Sequence, residues 1–204
     1  MPDYKIPVEE VMHETTVNRS RFLCYLFPCQ NAEMFKARLA ELQQEHPSAN
    51  HHCYAFVKGS PMDSQQYGFS DDGEPSGTAG RPMLAVLQGS GIGEVAAIVV
   101  RYFGGVKLGT GGLQRAYGGA VREALPHVKT TIKVAVTEKE LTCDYQEVSD
   151  IQHLIKTFKA HVVSEDYQEN VKMLLAIPDD QLKLFEQQLL TVSSGRLTLV
   201  NPPR

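Results

Sequence analysis

Residues 95–124 read VAAIVVRYFGGVKLGTGGLQRAYGGAVREA. The run from Val95 to Phe103, β-branched at its centre, predicts a strand buried on both faces. The chain must then turn, and Gly104 and Gly105 allow a close backbone approach or a positive φ at little steric cost. Leu113, Ala116, Tyr117, Ala120, Val121 and Ala124 recur at helical spacing, with Gln114, Arg115, Arg122 and Glu123 away from them. Thr110 reads as the N-cap of that helix. Strand, glycine turn and helix in this order describe a sheet with helices packed on it. They also aim four unpaired N–H groups and the positive end of a helix dipole at the loop carrying Lys107, where an anion such as phosphate fits.

A structural reading stands beside that one. Gly118 and Gly119 lie inside the helix, where each costs roughly 1 kcal/mol against alanine, which points to close packing against a sheet or another backbone. The spacing is not that of a P-loop, because Lys107 precedes Gly109 and Thr110. Gly89-Ser90-Gly91-Ile92-Gly93 resembles a dinucleotide fingerprint but precedes a strand instead of following one, so it reads as a turn.

A second unusual segment, FSDDGEPSGTAGRP, spans residues 69–82. Pro82 suits the first turn of a short helix through Met83, Leu84, Val86 and Leu87, which is again a helix start ready for an anion. Asp71, Asp72 and Glu74 form a turn that pairs with neighbouring arginines, or a divalent-metal site. The spacing of a calcium loop is missing.

Working outward, residues 8–17 and 21–27 alternate as two strands about a turn at Asn18-Arg19-Ser20. Asn31 caps a helix ending near Pro47, and residues 53–57 form a third strand. The order ββαβαβα predicts an α+β fold with the helices on one sheet face. After Val128 the pattern changes. Residues 131–143 read as a strand, Asp144 and Glu147 as a capping box, 162–167 and 171–177 as a hairpin, Asp179 as the start of a second helix, and 197–200 as a last strand. That βαββαβ order is ferredoxin-like. Two domains follow, 1–130 and 136–204.

At 204 residues, 42% hydrophobic and 22% charged, the composition is that of a globular protein with an ordinary core. Residues 1–135 carry 13 basic and 13 acidic side chains, and 136–204 carry 7 and 11. Polyanion binding therefore requires a local patch rather than overall charge. No run of eighteen apolar residues occurs, and Met1-Pro2-Asp3-Tyr4-Lys5 begins neither a signal peptide nor a lipidation signal, so a cytoplasmic location is expected. Cys24, Cys29, Cys53 and Cys143 form no Cys-x-x-Cys pair, and the spacing of His51-His52-Cys53 matches no metal scheme. No Gly-x-Ser-x-Gly elbow occurs.

Together, Ser70–Gly80 and Arg101–Leu113 resemble the signature of the IMPACT family. The resemblance implies a ribosomal-protein-S5 domain-2 type fold for the first domain and a ferredoxin-like second domain, a pair similar to domains IV and V of elongation factor G. It further implies a link to translational control, made in eukaryotic relatives through an additional partner-binding domain that has no counterpart in these residues. It carries no catalytic residue and no cofactor. The function expected is therefore an RNA or ribosome binder that regulates translation without catalysis, with a protein of the translation apparatus as a further candidate partner. Arg81, Arg101, Lys107 and Arg115 are the candidate phosphate contacts and Tyr102 a candidate stacking ring. Gly104, Gly105, Gly109, Thr110, Gly111 and Gly112 shape the loop, and Asp71, Asp72 and Glu74 support it. Arg101 has an alternative partner in the acidic loop, Tyr117 falls on the core face of its helix, and Arg122 reads as surface charge. Two other functions stand open: an enzyme acting on a small phosphorylated or nucleotide ligand at Gly105–Gly112, and a protein-interaction module using the acidic second domain.

Overall fold

The computed structural model describes residues 3–203. They divide into one unit from Tyr4 to Lys133 and a second from Val134 onward that also includes Asp3. In the first unit the strands are β1 (Tyr4–Pro7), β2 (Val11–Val17), β3 (Ser20–Pro28), β4 (His51–Val57), β5 (Tyr67–Ser70), β6 (Val95–Tyr102) and β7 (Thr130–Lys133). The helices are α1 (Ala32–Glu45), α2 (Gly80–Ser90) and α3 (Gly109–Ala124).

Five strands form an antiparallel sheet in the order β2-β3-β6-β4-β5. β6 lies at its centre and is buried from Val95 to Arg101, as its apolar run predicts. Side chains alternate along it. Val95, Ala97 and Val99 join Phe22, Cys53 and Ala55 against Met83 and Leu87 of α2 and Leu113, Tyr117 and Val121 of α3. Ala96, Ile98 and Val100 join Leu23, Tyr25 and Phe27 against Phe35 and Leu42 of α1. The expectation of helices on one face is thus corrected. A strand apolar on both faces needs cover on both, and α1 supplies the second layer.

Local signals explain the element ends. Asn31 accepts from the Met34 N–H at 2.9 Å, capping α1 as expected. Gly91, at φ 68°, closes α2, so the glycine cluster there is a turn. The predicted strand 131–143 is two strands. β7 pairs with β1 in a ribbon of the first unit, and β8 (Val136–Cys143) belongs to the second. At that ribbon Tyr4 and Lys133 both donate to the buried Glu94 carboxylate. Burial first, and then the Glu94 charge, push the Tyr4 hydroxyl up to about 12.

The second unit has α4 (Val148–Thr157), β9 (His161–Tyr167), β10 (Val171–Pro178) and α5 (Leu182–Val192), with a sheet ordered β8-β10-β9. Asp144 and Glu147 form both halves of the predicted capping box, across a 3-10 turn leading into α4. Leu141, Met173 and Leu175 of the sheet pack on Ile151, Leu154, Phe185 and Leu189. Asp179 does not cap α5, whose N-cap is Gln181. The expected last strand is reduced to one antiparallel bridge between Val200 and Glu140, which places it beside β8 as the ferredoxin-like order requires.

Candidate functional site

β6 ends at Tyr102 and α3 begins at Gly109, so the intervening turn lies at the rim of the sheet beside the loop after β5. Gly104 is fixed by close approach. A Cβ there would stand 2.1 Å from the Arg19 carbonyl carbon, and its N–H donates to Ser20 Oγ at 3.1 Å. Gly105 and Gly109 adopt φ of 84° and 69°, the left-handed region glycine favours. Thr110 is not the N-cap. The helix starts two residues earlier, Leu108 occupies the cap position, and no side chain caps the end. With no acidic residue in its first turn either, α3 presents its positive end uncompensated.

The acidic loop is tied down by its own carboxylates. Asp71 accepts from the N–H groups of Gly77 at 2.8 Å, Ala79 at 3.0 Å and Gly80 at 2.9 Å. Burial works to raise this carboxyl, but the three N–H donors and the Arg81 charge outweigh it and hold it below its ordinary value. The N-terminus of α2, expected to be ready for an anion, is therefore filled by the chain itself. Asp72 accepts from the His52 N–H at 2.6 Å, and its carbonyl accepts from His51 Nδ1 at 2.7 Å. That bond makes Nδ1 the donor and aims Nε2 at Glu74 Oε1, 3.8 Å away.

Glu74 joins the two loops. Its Oε1 accepts from Arg101 at 2.5 Å and from the Tyr117 hydroxyl at 2.7 Å, and both side chains of the ion pair are buried. Arg101 is thus held by the acidic loop, the alternative its sequence context allowed, and its charge is neutralised by Glu74 rather than free for a ligand. One donor is left over, because Arg101 Nε is buried with no partner.

The two loops share a cleft of about 490 Å³ lined by Asn50, His51, Glu74, Pro75, Arg101, Phe103, Lys107, Leu108, Gly109, Thr110 and Leu113. Of the expected site residues, Glu74, Arg101, Lys107, Gly109 and Thr110 meet there. Arg115 is exposed on the first turns of α3, its guanidinium 3.8 Å from where a Cβ on Gly111 would stand. Gly111 and Gly112 belong to that same turn and Gly105 to the exposed rim. Arg81 is exposed on α2 beside Asp71 and does not line the cleft.

Tyr102 is on the opposite face. Its hydroxyl lies 2.8 Å from His46 Nδ1, among the side chains that pack with α1. Strand alternation gives the reason, since Arg101 faces α3 and the next residue must face away. Phe103, which sequence reading passed over, is the aromatic ring at the cleft. It is 46% exposed, lies 5.5 Å from the Arg101 guanidinium, and is anchored by its N–H to Asn50 Oδ1 at 2.8 Å. Asn50 was passed over and His51 weighed only as a metal ligand, because the pairing that sets His51 opposite Arg101 and lets the Asn50 N–H donate to the Arg101 carbonyl at 2.9 Å is invisible before strand pairing is known.

Tyr117 is buried as its helical position predicted. The four cysteines are free and buried, and burial pushes the Cys53 thiol up, away from nucleophilic character. Among the described residues no three His, Cys, Asp or Glu side chains converge as a metal site. No described helix is long and apolar enough to cross a membrane.

An antiparallel sheet presenting an uncapped glycine-rich helix start, followed in the chain by a ferredoxin-like unit, defines a class of two-unit α+β proteins. Residues 18–125 match the Impact N-terminal domain and residues 141–196 match the domain of unknown function DUF1949, and the chain belongs to the IMPACT family. It is 46% identical over 199 residues to an IMPACT family member of Haemophilus influenzae, covering 98% of this chain and 97% of that one. It is 44% identical over 200 residues to IMPACT family member YigZ of Escherichia coli, covering 98% of both. Identity to IMPACT family member YvyE of Bacillus subtilis is 33% over 184 residues, 90% of this chain and 84% of that one. A solved structure, described as the crystal structure of an hypothetical protein, is similar at TM-score 0.79 and 44% identity, covering 100% of this chain and 99% of the other.

Proposed function

We propose that this chain binds RNA, free or on the ribosome, and regulates translation in the cytoplasm without catalysing a reaction. The carrying observation is the start of α3: an uncapped helix end with exposed Lys107 before it and Arg115 on its first turns. A phosphate there meets backbone donors, the positive end of the dipole and two exposed cations. Arg101 contributes shape more than charge, because Glu74 neutralises it. With a net charge of −4 the chain as a whole offers a polyanion no general attraction, so binding rests on this patch.

The test is cosedimentation of the purified protein with ribosomes and with single-stranded RNA across a salt series, comparing Lys107→Glu with the parent chain. Binding should weaken with salt, and the variant should lower the log–log salt slope by about 0.7, the value of one single-strand phosphate contact. Binding that ignores salt, or that survives the substitution unchanged, overturns the proposal.

A further inference from the structure

We infer that the cleft between the two loops is a pocket for a single unpaired nucleotide, its base stacked on Phe103 and its phosphate at the N-terminus of α3. The inference rests on the RNA-binding reading and specifies what part of an RNA the site takes.

Three observations argue for a nucleotide over a bare phosphate or a stretch of backbone. First, the volume of about 490 Å³ lies within the roughly 300–1,000 Å³ of small-molecule sites, and an inorganic phosphate at the helix end would leave most of it empty. Second, Pro75, Phe103, Leu108 and Leu113 give it apolar walls, which suit the flat faces of a base and ribose carbons but not a chain of phosphates. Phe103 keeps 46% of its surface exposed there while Asn50 holds its backbone, so the ring is both available and positioned. Aromatic rings of this kind are stacking platforms for any base.

The third observation is Arg101. Its NH1 is pinned by Glu74 at 2.5 Å, which fixes the guanidinium plane, and its Nε–H is left buried without an acceptor. A buried donor of a charged group normally finds a partner, so an orphan on a side chain that lines the cleft points to an acceptor supplied by a ligand. A nucleotide carries such acceptors on its phosphate, its sugar and its base. The uncapped α3 terminus alone would not distinguish these ligands. Together with the fixed Arg101 donor and the exposed ring, it describes a site with an anionic end and a flat apolar end.

The experiment is calorimetric and NMR titration of the full chain with uridine 5′-monophosphate, uridine and inorganic phosphate, beside the RNA salt series. The parent chain should bind the monophosphate at least tenfold more tightly than either part alone. Phe103→Ala should weaken it by about 5- to 150-fold, the span that base–aromatic stacking covers, whereas Phe103→Tyr should retain it. Because Phe103 is at the surface, both variants should melt with the parent, which separates loss of the ring from loss of the fold. Equal affinity for phosphate and monophosphate, or an unchanged Phe103→Ala, overturns the pocket. If RNA still binds in that case, the RNA reading stands without it. Monophosphate binding with no RNA binding upholds the pocket and refutes the RNA reading, and binding of neither ends both.

Discussion

Replacing Arg101 by methionine should be the most damaging single change at this site. The side chain is 6% exposed and its partner Glu74 is 4% exposed, so the substitution leaves a carboxylate in a poorly solvated place with the Tyr117 hydroxyl as its remaining close donor. Breaking a buried pair by removing one member costs about 3–5 kcal/mol. For a unit of this size that corresponds to a fall of roughly 10–20 °C in Tm. Scanning calorimetry of the full chain, resolving the transition of the first unit, gives the measurement. Adding Glu74→Leu removes the stranded charge and should recover at least about 2 kcal/mol, since apolar replacement of a whole buried pair is often close to neutral. Recovery should stay incomplete until Tyr117→Phe removes the orphaned hydroxyl, worth about 1–3 kcal/mol. A loss below about 1 kcal/mol in the single variant, or a double variant equal to the sum of the singles, would refute the account of Glu74 and Arg101 as one coupled unit.

Asp71 should give the first unit an acid limb. Its folded carboxyl titrates below the ordinary 3.8, so its contribution is complete above that value and is lost as the pH falls from there through the folded value; Asp71→Asn should flatten this part of a urea-denaturation pH series. Gly119→Ala should stabilise the protein by about 0.5–1 kcal/mol in the same assay, because an added Cβ meets nothing within 4 Å and the residue is helical; a loss would show that α3 needs the glycine after all.

Gly119 also shows where sequence reading reached its limit. A glycine inside a helix suggests close packing, yet Gly118 would hold a Cβ in ordinary contact with Pro82 and Gly119 would hold one in open space. In the glycine-rich loop the position closed to a Cβ is Gly104, whose neighbour Arg19 lies in the turn between β2 and β3, 85 positions earlier. Signals carried by adjacent residues were readable: the Asn31 cap, the capping box of Asp144 and Glu147, and the buried run of β6. Those that depend on pairing were not. β1 and β5 have four residues each, too short for periodicity to register, and the break between β7 and β8 falls in one continuous run of strand-forming residues. Tyr102 is the stacking ring the sequence reading names, whereas alternation from Arg101 puts Phe103 at the cleft. Choosing between them requires knowing which side of β6 faces α3.

The structure separates two helix starts that look equally suitable in sequence. At α2 the chain supplies its own anion, since the Asp71 carboxylate meets the N–H groups of Gly77, Ala79 and Gly80 and leaves nothing for an outside ligand. Asp72 is engaged by the His52 backbone and Glu74 by Arg101, so all three carboxylates of the acidic loop act within the fold. At α3 no side chain takes the corresponding place. A loop this acidic next to an anion site would ordinarily repel its ligand. Here its charges are compensated before a ligand arrives, Asp71 by backbone donors and Glu74 by a buried guanidinium. Lys107 and the helix end are left to set the local field. The acidic loop therefore builds one wall of the cleft and fixes the direction of Arg101, while the glycine-rich loop supplies the groups a phosphate would meet.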